Sequence, residues 1–86
     1  MTIDRYRQVQ IDLDDIYREK QKAYGDSFSE TLVEFGFVAS LTRLSDKMNR
    51  LKSLYKQGLD EMGDESIKDT LRDLANYAIM TLAEMN

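Results

Sequence analysis

An acidic ridge runs along the last third of the chain, where polar side chains recur at spacings of four, four and three residues. Its members are Glu65, Asp69, Asp73 and Asn76. Residues at these spacings share one face of an α-helix, and like charges four residues apart destabilise the helix by a few tenths of a kcal/mol. Asp69 and Asp73 therefore favour a cation or a basic partner between them, and a divalent ion would serve. Alternatively, Glu65 and Asp69 interact favourably with the positive N-terminus of the helix, while Lys68 and Arg72 neutralise the remaining negative charge of the ridge.

A basic stripe lies earlier in the chain, at positions i, i+3, i+4 and i+7. Its members are Arg43, Asp46, Lys47 and Arg50. Arginine offers planar bidentate donors to phosphate and lysine offers a mobile charge, while Asp46 either shares a metal or holds an arginine in place. The same stripe is also typical of a solvated face with weak ion pairs. If the basic stripe and the acidic ridge face each other on antiparallel helices, they form a site for Mg²⁺ and the phosphate that Mg²⁺ chelates. The two patterns together predict such a site.

The composition restricts which metal and which general base are available. The chain has no cysteine and no histidine, so metal binding must use carboxylates, which suit Mg²⁺ or Mn²⁺ better than zinc. The predicted metal ligands are Asp46, Glu65, Asp69 and Asp73. At the end of the first predicted helix, Lys22 either contacts phosphate or complements the helix dipole. Tyr24 either stacks on a base or covers the turn beside Phe28 and Phe35.

Charge and hydropathy exclude two classes of partner. A net charge of −4 argues against the broad basic surface that binding to duplex nucleic acid requires, but leaves free nucleotides as ligands. No apolar run approaches the roughly 20 residues needed to cross a bilayer. We therefore expect no membrane association and a cytoplasmic location.

The residues that must position these groups form an all-α pattern of three long helices and one short elbow helix. Apolar residues recur at spacings of three and four in segments separated by Gly25, Gly36 and a turn at residues 58–63. Ser27 with Glu30 predicts a capping box at the start of the short helix. The predicted apolar seams of the last two long helices are Leu41, Leu44, Met48, Leu51 and Tyr55, followed by Ile67, Leu71, Leu74, Ala78, Leu82 and Met85. The chain is expected to form a single domain over residues 1–86.

The last helix also predicts self-association. Residues 74–83 carry no charge in a chain that is 33% charged, and a helix that is apolar around most of its circumference lies inside a bundle or at a subunit interface. A domain of this size hides only about 60% of its unfolded surface. A bundle completed by forming a homo-dimer or homo-tetramer is therefore expected; the alternative is a central helix in a self-sufficient monomer.

The chain contains, in order, KQKAYGDSF at residues 20–28, RLSDKMNRL at residues 43–51 and DESIKDTLRDLANYAIM at residues 64–80. Together these stretches resemble a small phage and bacterial family called nucleotide modification associated domain 1, commonly grouped with the MazG-like all-α nucleotide pyrophosphohydrolases. The resemblance implies a MazG-like helical bundle that oligomerises and binds Mg²⁺ with helix-borne carboxylates. It also implies cleavage of nucleoside triphosphates to monophosphate and pyrophosphate, in phage or prophage nucleotide metabolism.

Residue by residue, the resemblance to MazG-like enzymes is uneven. Asp73 matches the closing aspartate of their ExxD motif, while Thr70 stands where its glutamate would be and Asp69 comes one residue earlier. Asp46 is the only carboxylate on the helix where the EExxE motif would stand. The implied catalytic residues are Asp46 and Asp73, and the substrate-binding residues are Lys22, Tyr24, Arg43, Lys47, Arg50 and Asn76. A non-catalytic nucleotide-binding module and a purely structural helical oligomer are the other two hypotheses.

Overall fold

The computed structural model describes residues 1–58 and 64–85, and every regular element within them is an α-helix. The helices are α1 (Ile3–Tyr24), α2 (Ser27–Phe35), α3 (Phe37–Lys56) and α4 (Glu65–Glu84). The prediction of an all-α chain with three long helices and one short helix is confirmed. Most of the turn predicted at residues 58–63 lies outside the described residues.

Side-chain caps begin two of the long helices. The Thr2 hydroxyl accepts a hydrogen bond from the backbone N–H of Arg5 at 3.2 Å, and Asp64 Oδ1 accepts one from Ile67 at 3.1 Å. Each cap satisfies a donor that has no partner within its helix. The predicted capping box at Ser27 is wrong: Ser27 is the first helical residue of α2, and the residue before it makes no side-chain cap bond.

Two glycines make the connections on either side of α2 very short. Gly25 has φ of 62° and Gly36 has φ of 79°, a region that side chains with a Cβ rarely adopt. Each backbone N–H closes the preceding helix by donating to the carbonyl four residues earlier, at 2.8 Å in both cases. The chain therefore reverses within one or two residues and holds α2 against α3 as an elbow.

Helices α3 and α4 form the most extensive packing and run antiparallel. Ser40 lies beside Thr81 and Arg50 beside Thr70, so positions rise along α3 as they fall along α4. The hydroxyls of Ser40 and Thr81 are buried and lie 2.5 Å apart. Small hydroxyl side chains let the two backbones approach closely, and their mutual hydrogen bond removes the penalty of burying them.

Helix α1 lies across α4 and is joined to it through both apolar and polar contacts. Leu13 is buried, and its carbonyl accepts a hydrogen bond from Asn76 Nδ2 at 3.3 Å. The elbow closes one end of the bundle, where the rings of Phe28 and Tyr77 pack with centroids 5.3 Å apart. The carboxyl-terminal half of α1 is thereby held beside α3 and α4.

The predicted apolar seams do not coincide with the faces that pack inside this chain. Among the described residues Leu13 and Leu54 are the buried hydrophobic side chains, while several seam residues on α3 and α4 are exposed. The exposed seam residues are Leu41, Met48, Tyr55, Leu71, Ala78, Leu82 and Met85. The residues that meet, Ser40 and Thr81, each lie one position before a predicted seam residue, and one position corresponds to a rotation of about 100° around the helix. Helices α3 and α4 therefore meet through a neighbouring face that contains small hydroxyl residues. Periodicity does not distinguish two overlapping faces of this kind. Within the described helices, none is both long and apolar enough to cross a membrane.

Candidate functional site

A cavity of about 360 Å³ opens between the second half of α1, the start of α2, and the facing sides of α3 and α4. We call it the α1–α3–α4 cavity. Its charged lining residues are Lys20 from α1, Arg43 and Lys47 from α3, and Asp73 from α4. Three cations and one carboxylate give the lining a formal charge of +2, in a chain whose net charge is −4. The cavity is therefore a local reversal of the overall charge and attracts anions.

Asp73 lies between two lysines that come from different helices. Lys20 Nζ is 2.6 Å from its Oδ1, and Lys47 Nζ is 3.1 Å from its Oδ2. The Asp73 side chain is 25% exposed, Lys47 is 26% exposed and Lys20 is 52% exposed. Burial of the carboxyl group opposes its ionisation, but the hydrogen bonds and charges of the two lysines outweigh burial and lower the pKa of Asp73. Both carboxylate oxygens are thus occupied by ammonium groups.

Four aromatic side chains also line the cavity. Tyr17 and Tyr24 project from α1, Phe28 from α2 and Tyr77 from α4. Phe28 and Tyr77 pack on each other at an interplanar angle of 56°, whereas Tyr24 is 72% exposed at the rim. The two hypotheses for Tyr24, a ring that stacks on a base and a ring that covers the elbow, both stay predictions.

The amide of Asn76 lines the cavity one helical turn after Asp73, but it also has a structural role. Asn76 is buried, and its Nδ2 donates to the carbonyl of Leu13 on α1. This bond connects the helix that carries Asp73 to the helix that carries Lys20. Asn76 therefore positions the walls of the cavity in addition to lining it.

The rest of the acidic ridge lies elsewhere. Asp69 Oδ1 is 2.8 Å from Arg72 Nη1, Glu65 Oε2 is 3.4 Å from the same nitrogen, and Glu65 is also 3.8 Å from Lys68. Partial desolvation of the Arg72 guanidinium opposes its charge, but hydrogen bonds to Asp69 and Glu65 raise its pKa. The alternative in which basic neighbours on the same helix neutralise Glu65 and Asp69 matches this geometry.

The carboxylates predicted as metal ligands are not gathered in the described part of the chain. Within residues 1–58 and 64–85, no three carboxylate, histidine or cysteine side chains lie close enough together to hold a metal ion. Asp46 is exposed and does not line the cavity. Mg²⁺ typically takes one or two carboxylates with several waters, and the single carboxylate in the cavity already meets two ammonium groups. These residues do not fit a protein-held Mg²⁺ site within one copy of the chain.

Two predicted substrate-binding residues also lie outside the cavity. Arg50 Nε donates to the Thr70 hydroxyl at 3.3 Å, between α3 and α4. Lys22 lies 3.5 Å from Glu19 and lines a shallow depression on the outer side of α1. The structure thus brings together Tyr24, Arg43, Lys47, Asp73 and Asn76, and separates from them Lys22, Asp46, Arg50, Glu65 and Asp69.

A second cavity of about 420 Å³ shares a wall with the first, on the other side of Phe28 and Asn76. Its charged lining residues are Asp14, Asp26 and Glu84, and all three are carboxylates. They accept hydrogen bonds from Arg18, Gln21 and Ser29, respectively. Although this cavity is larger, none of the described residues that line it is cationic. The α1–α3–α4 cavity is therefore the candidate site.

Sequence reasoning missed Lys20 as a site residue, together with Tyr17 and Gln21. The signal was present, because Tyr17, Lys20, Gln21 and Tyr24 follow spacings of three, one and three, which places all four on one face of a helix. All four line the cavity. A mixed aromatic and cationic face on α1 is the feature that would have identified Lys20 in preference to Lys22.

Fold and site together define an all-α protein with a cationic, aromatic-walled cavity between its helices. A family model described as nucleotide modification associated domain 1 matches residues 20–85, and the chain belongs to that family. Each of the three stretches that carry the resemblance contributes side chains to the α1–α3–α4 cavity, and Tyr17 is the one lining residue that precedes the matched region. Neither the curated proteins nor the solved structures give a significant match to the chain.

Proposed function

We propose that this protein binds a nucleotide in the α1–α3–α4 cavity. The observation that carries the proposal is the convergence of Lys20, Arg43 and Lys47, from two helices, with aromatic side chains from three helices on one cavity. Its volume of about 360 Å³ lies within the usual range for small-molecule sites, about 300–1,000 Å³. A nucleotide has both features that such walls recognise, an anionic phosphate and an aromatic base.

The cationic side takes the phosphate. Arg43 and Lys47 stand one turn apart on α3 and Lys20 approaches from α1, so a phosphate between them meets donors from two directions. Hydrogen bonds between charged partners are about twice as strong as neutral ones. Lys47 is mostly buried, which weakens solvent screening of its charge.

The aromatic side takes the base. Tyr24 is exposed at the rim and Tyr17 is one-third exposed beside it, two turns earlier on α1. Stacking of a base on an aromatic side chain contributes about 1–3 kcal/mol and is tolerant of base identity. Phe28 and Tyr77 are packed on each other and form a fixed wall behind these two tyrosines.

Thermal unfolding with a panel of ribo- and deoxyribonucleotides, followed by calorimetric titration of those that stabilise the protein, tests this function. A ligand at 100 times its Kd stabilises the folded state by about 2.7 kcal/mol, which raises Tm measurably in a chain of this size. At the same nucleotide concentration, Lys47→Gln should reduce the shift to about half or less. Lys52→Gln, on the same helix but away from the cavity, is the matched control. Absence of a shift with every nucleotide would contradict the proposal.

A second candidate is a Mg²⁺-dependent nucleoside triphosphate pyrophosphohydrolase related to the MazG-like enzymes. What favours it is the place of Asp73: the residue that matches the closing aspartate of the MazG-like motif lies in the cavity among the cations. Lys20, Arg43 and Lys47 would hold the pyrophosphate portion. Pyrophosphate release from a triphosphate panel with Mg²⁺ or Mn²⁺ decides between hydrolysis and binding alone.

We also propose that the bundle is completed by a second copy, as a cytoplasmic homo-dimer or homo-tetramer. Large apolar side chains on all four helices face outward, among them Val9 on α1, Val33 on α2, Leu41 on α3 and Leu82 on α4. Contiguous apolar surface on a small domain marks an interaction site. Light scattering should report a mass above that of the 10.0 kDa chain. Leu82→Lys should reduce it, and a wild-type monomer at micromolar concentration would contradict the proposal.

A further inference from the structure

We infer that the α1–α3–α4 cavity binds a dianionic phosphate monoester, as in a nucleoside monophosphate, directly through Lys20, Arg43 and Lys47, with no protein-held metal ion. Asp73 is the residue that positions the two lysines. The inference rests on the proposed nucleotide site and specifies which ligand charge the site takes. It assigns to Asp73 a role different from the metal ligand that its motif position implies.

The first support is the occupancy of Asp73. Both of its oxygens face ammonium nitrogens, at 2.6 and 3.1 Å. A magnesium ion needs oxygen ligands at about 2.0–2.1 Å, so on either oxygen it would lie beside a lysine ammonium that repels it. Among the described residues that line the cavity, Asp73 is the only carboxylate. These residues therefore lack the acidic donor set that would offset this repulsion.

The second support is the charge balance. The lining has three cations and one carboxylate, a formal charge of +2 that an added divalent cation would raise to +4. A phosphate monoester carries about −1.5 to −2 at pH 7, because its second pKa is about 6. A bound monophosphate thus brings the cavity close to neutrality without any metal.

The third support is the geometry that Asp73 imposes. One carboxylate holds Lys20 of α1 and Lys47 of α3 together, although the two ammonium groups repel each other. An ammonium has three N–H donors, and the contact with Asp73 uses one on each lysine. The other donors remain available to phosphate oxygens. Arg43, one turn before Lys47 on α3, adds a planar pair of N–H donors.

Titration calorimetry with inorganic phosphate and the four 2′-deoxynucleoside 5′-monophosphates, in EDTA and again in excess Mg²⁺, tests the inference on the intact protein. We expect at least one monophosphate to bind with the same Kd in both buffers, within about twofold. Binding that appears only with Mg²⁺, or a site titrated by Mg²⁺ alone, would overturn the inference and leave nucleotide binding standing. Absence of monophosphate binding in both buffers would also overturn the inference, and the proposed function would fail with it if no nucleotide of the wider panel raises Tm.

The two roles of Asp73 predict losses of binding that differ in size when its carboxylate is removed. If Asp73 were a metal ligand, Asp73→Asn would abolish ligand binding. If Asp73 positions the lysines, the substitution Asp73→Asn should weaken monophosphate binding by less than about fivefold, because the cations remain and the opposing charge is gone. A larger loss in a variant that still shows the wild-type circular dichroism spectrum would refute this role. Lys20→Gln and Lys47→Gln should each weaken binding by about tenfold or more, with Lys52→Gln unchanged.

Discussion

Asp69 and Asp73 are the same residue type, one turn apart on α4, and they have entirely different environments. Asp69 is 70% exposed and contacts Arg72 of its own helix at 2.8 Å. Asp73 is 25% exposed and contacts lysines of α1 and α3, one of them 53 residues earlier in the chain. Asp69 forms a local ion pair and Asp73 forms a tertiary one that joins three helices.

The difference shows how a helical ridge divides between stability and function. A pair at i and i+3 on an exposed face is screened by water and contributes a few tenths of a kcal/mol. A carboxylate shared by two lysines in a half-buried cavity has less solvent screening and fixes where two cations stand. Position along the ridge therefore does not determine the role of a carboxylate; the neighbouring helices do.

The largest expected effect is a loss of nucleotide affinity in variants of the cavity that does not occur in variants of the acidic ridge. The double variant Lys20→Gln/Lys47→Gln should weaken nucleotide binding by about 100-fold, since each lysine contributes a charge-assisted hydrogen bond to the phosphate. The matched double variant Glu65→Gln/Asp69→Asn removes two charges from the ridge and should change the Kd by less than about twofold. Titration calorimetry measures both. A comparable loss in the second variant would show that the ridge belongs to the site.

The next effect concerns the bond that holds the cavity walls together. Asn76→Ala removes a buried donor to the Leu13 carbonyl and should lower the free energy of unfolding by about 2 kcal/mol. Urea denaturation followed by circular dichroism measures this loss. Asn49→Ala, at an exposed position of α3, should change the stability by less than about 0.5 kcal/mol. Equal effects would mean that the Asn76 bond does not connect α1 to α4.

The helices themselves were within reach of sequence reasoning. The three-and-four spacing of apolar residues and the breaks at Gly25 and Gly36 located all four helices, because both signals act within a few residues. Asp69 with Arg72 was also accessible, since an i, i+3 pair needs only the helix period. Local geometry determines each of these features.

Two features of the site were not accessible in the same way. Lys20 meets Asp73 only because α1 crosses α4, and no short-range pattern encodes that crossing. The faces joining α3 and α4 are shifted from the predicted seams, since Ser40 and Thr81 meet where Leu41 and Leu82 were expected. A second apolar face that remains open in one copy of the chain makes the periodicity ambiguous.

A smaller effect is the acid dependence of the Asp73 pair. Burial of the Asp73 carboxyl opposes its ionisation, but Lys20 and Lys47 lower its pKa below the ordinary 3.8. Its contribution to stability is therefore complete above that pH and is lost as the pH falls through the lower folded-state pKa. At neutral pH the free energy of unfolding of the wild-type protein should be about 1 kcal/mol higher than that of Asp73→Asn. This difference should disappear at acid pH. Unfolding curves across pH measure it; a constant difference would contradict the pairing.

The smallest expected effect concerns the ion pair between Asp69 and Arg72 on the acidic ridge. Asp69→Asn breaks an exposed pair with Arg72 and should lower the free energy of unfolding by about 0.5 kcal/mol or less, and by less still in high salt. Arg72 keeps Glu65 at 3.4 Å, so the variant leaves the guanidinium with one carboxylate. A loss as large as that of Asp73→Asn, or one insensitive to salt, would mean that Asp69 meets a further partner in a second copy of the chain. Repeating the measurement at increasing protein concentration would reveal such a partner, because only an interaction between copies becomes stronger by mass action.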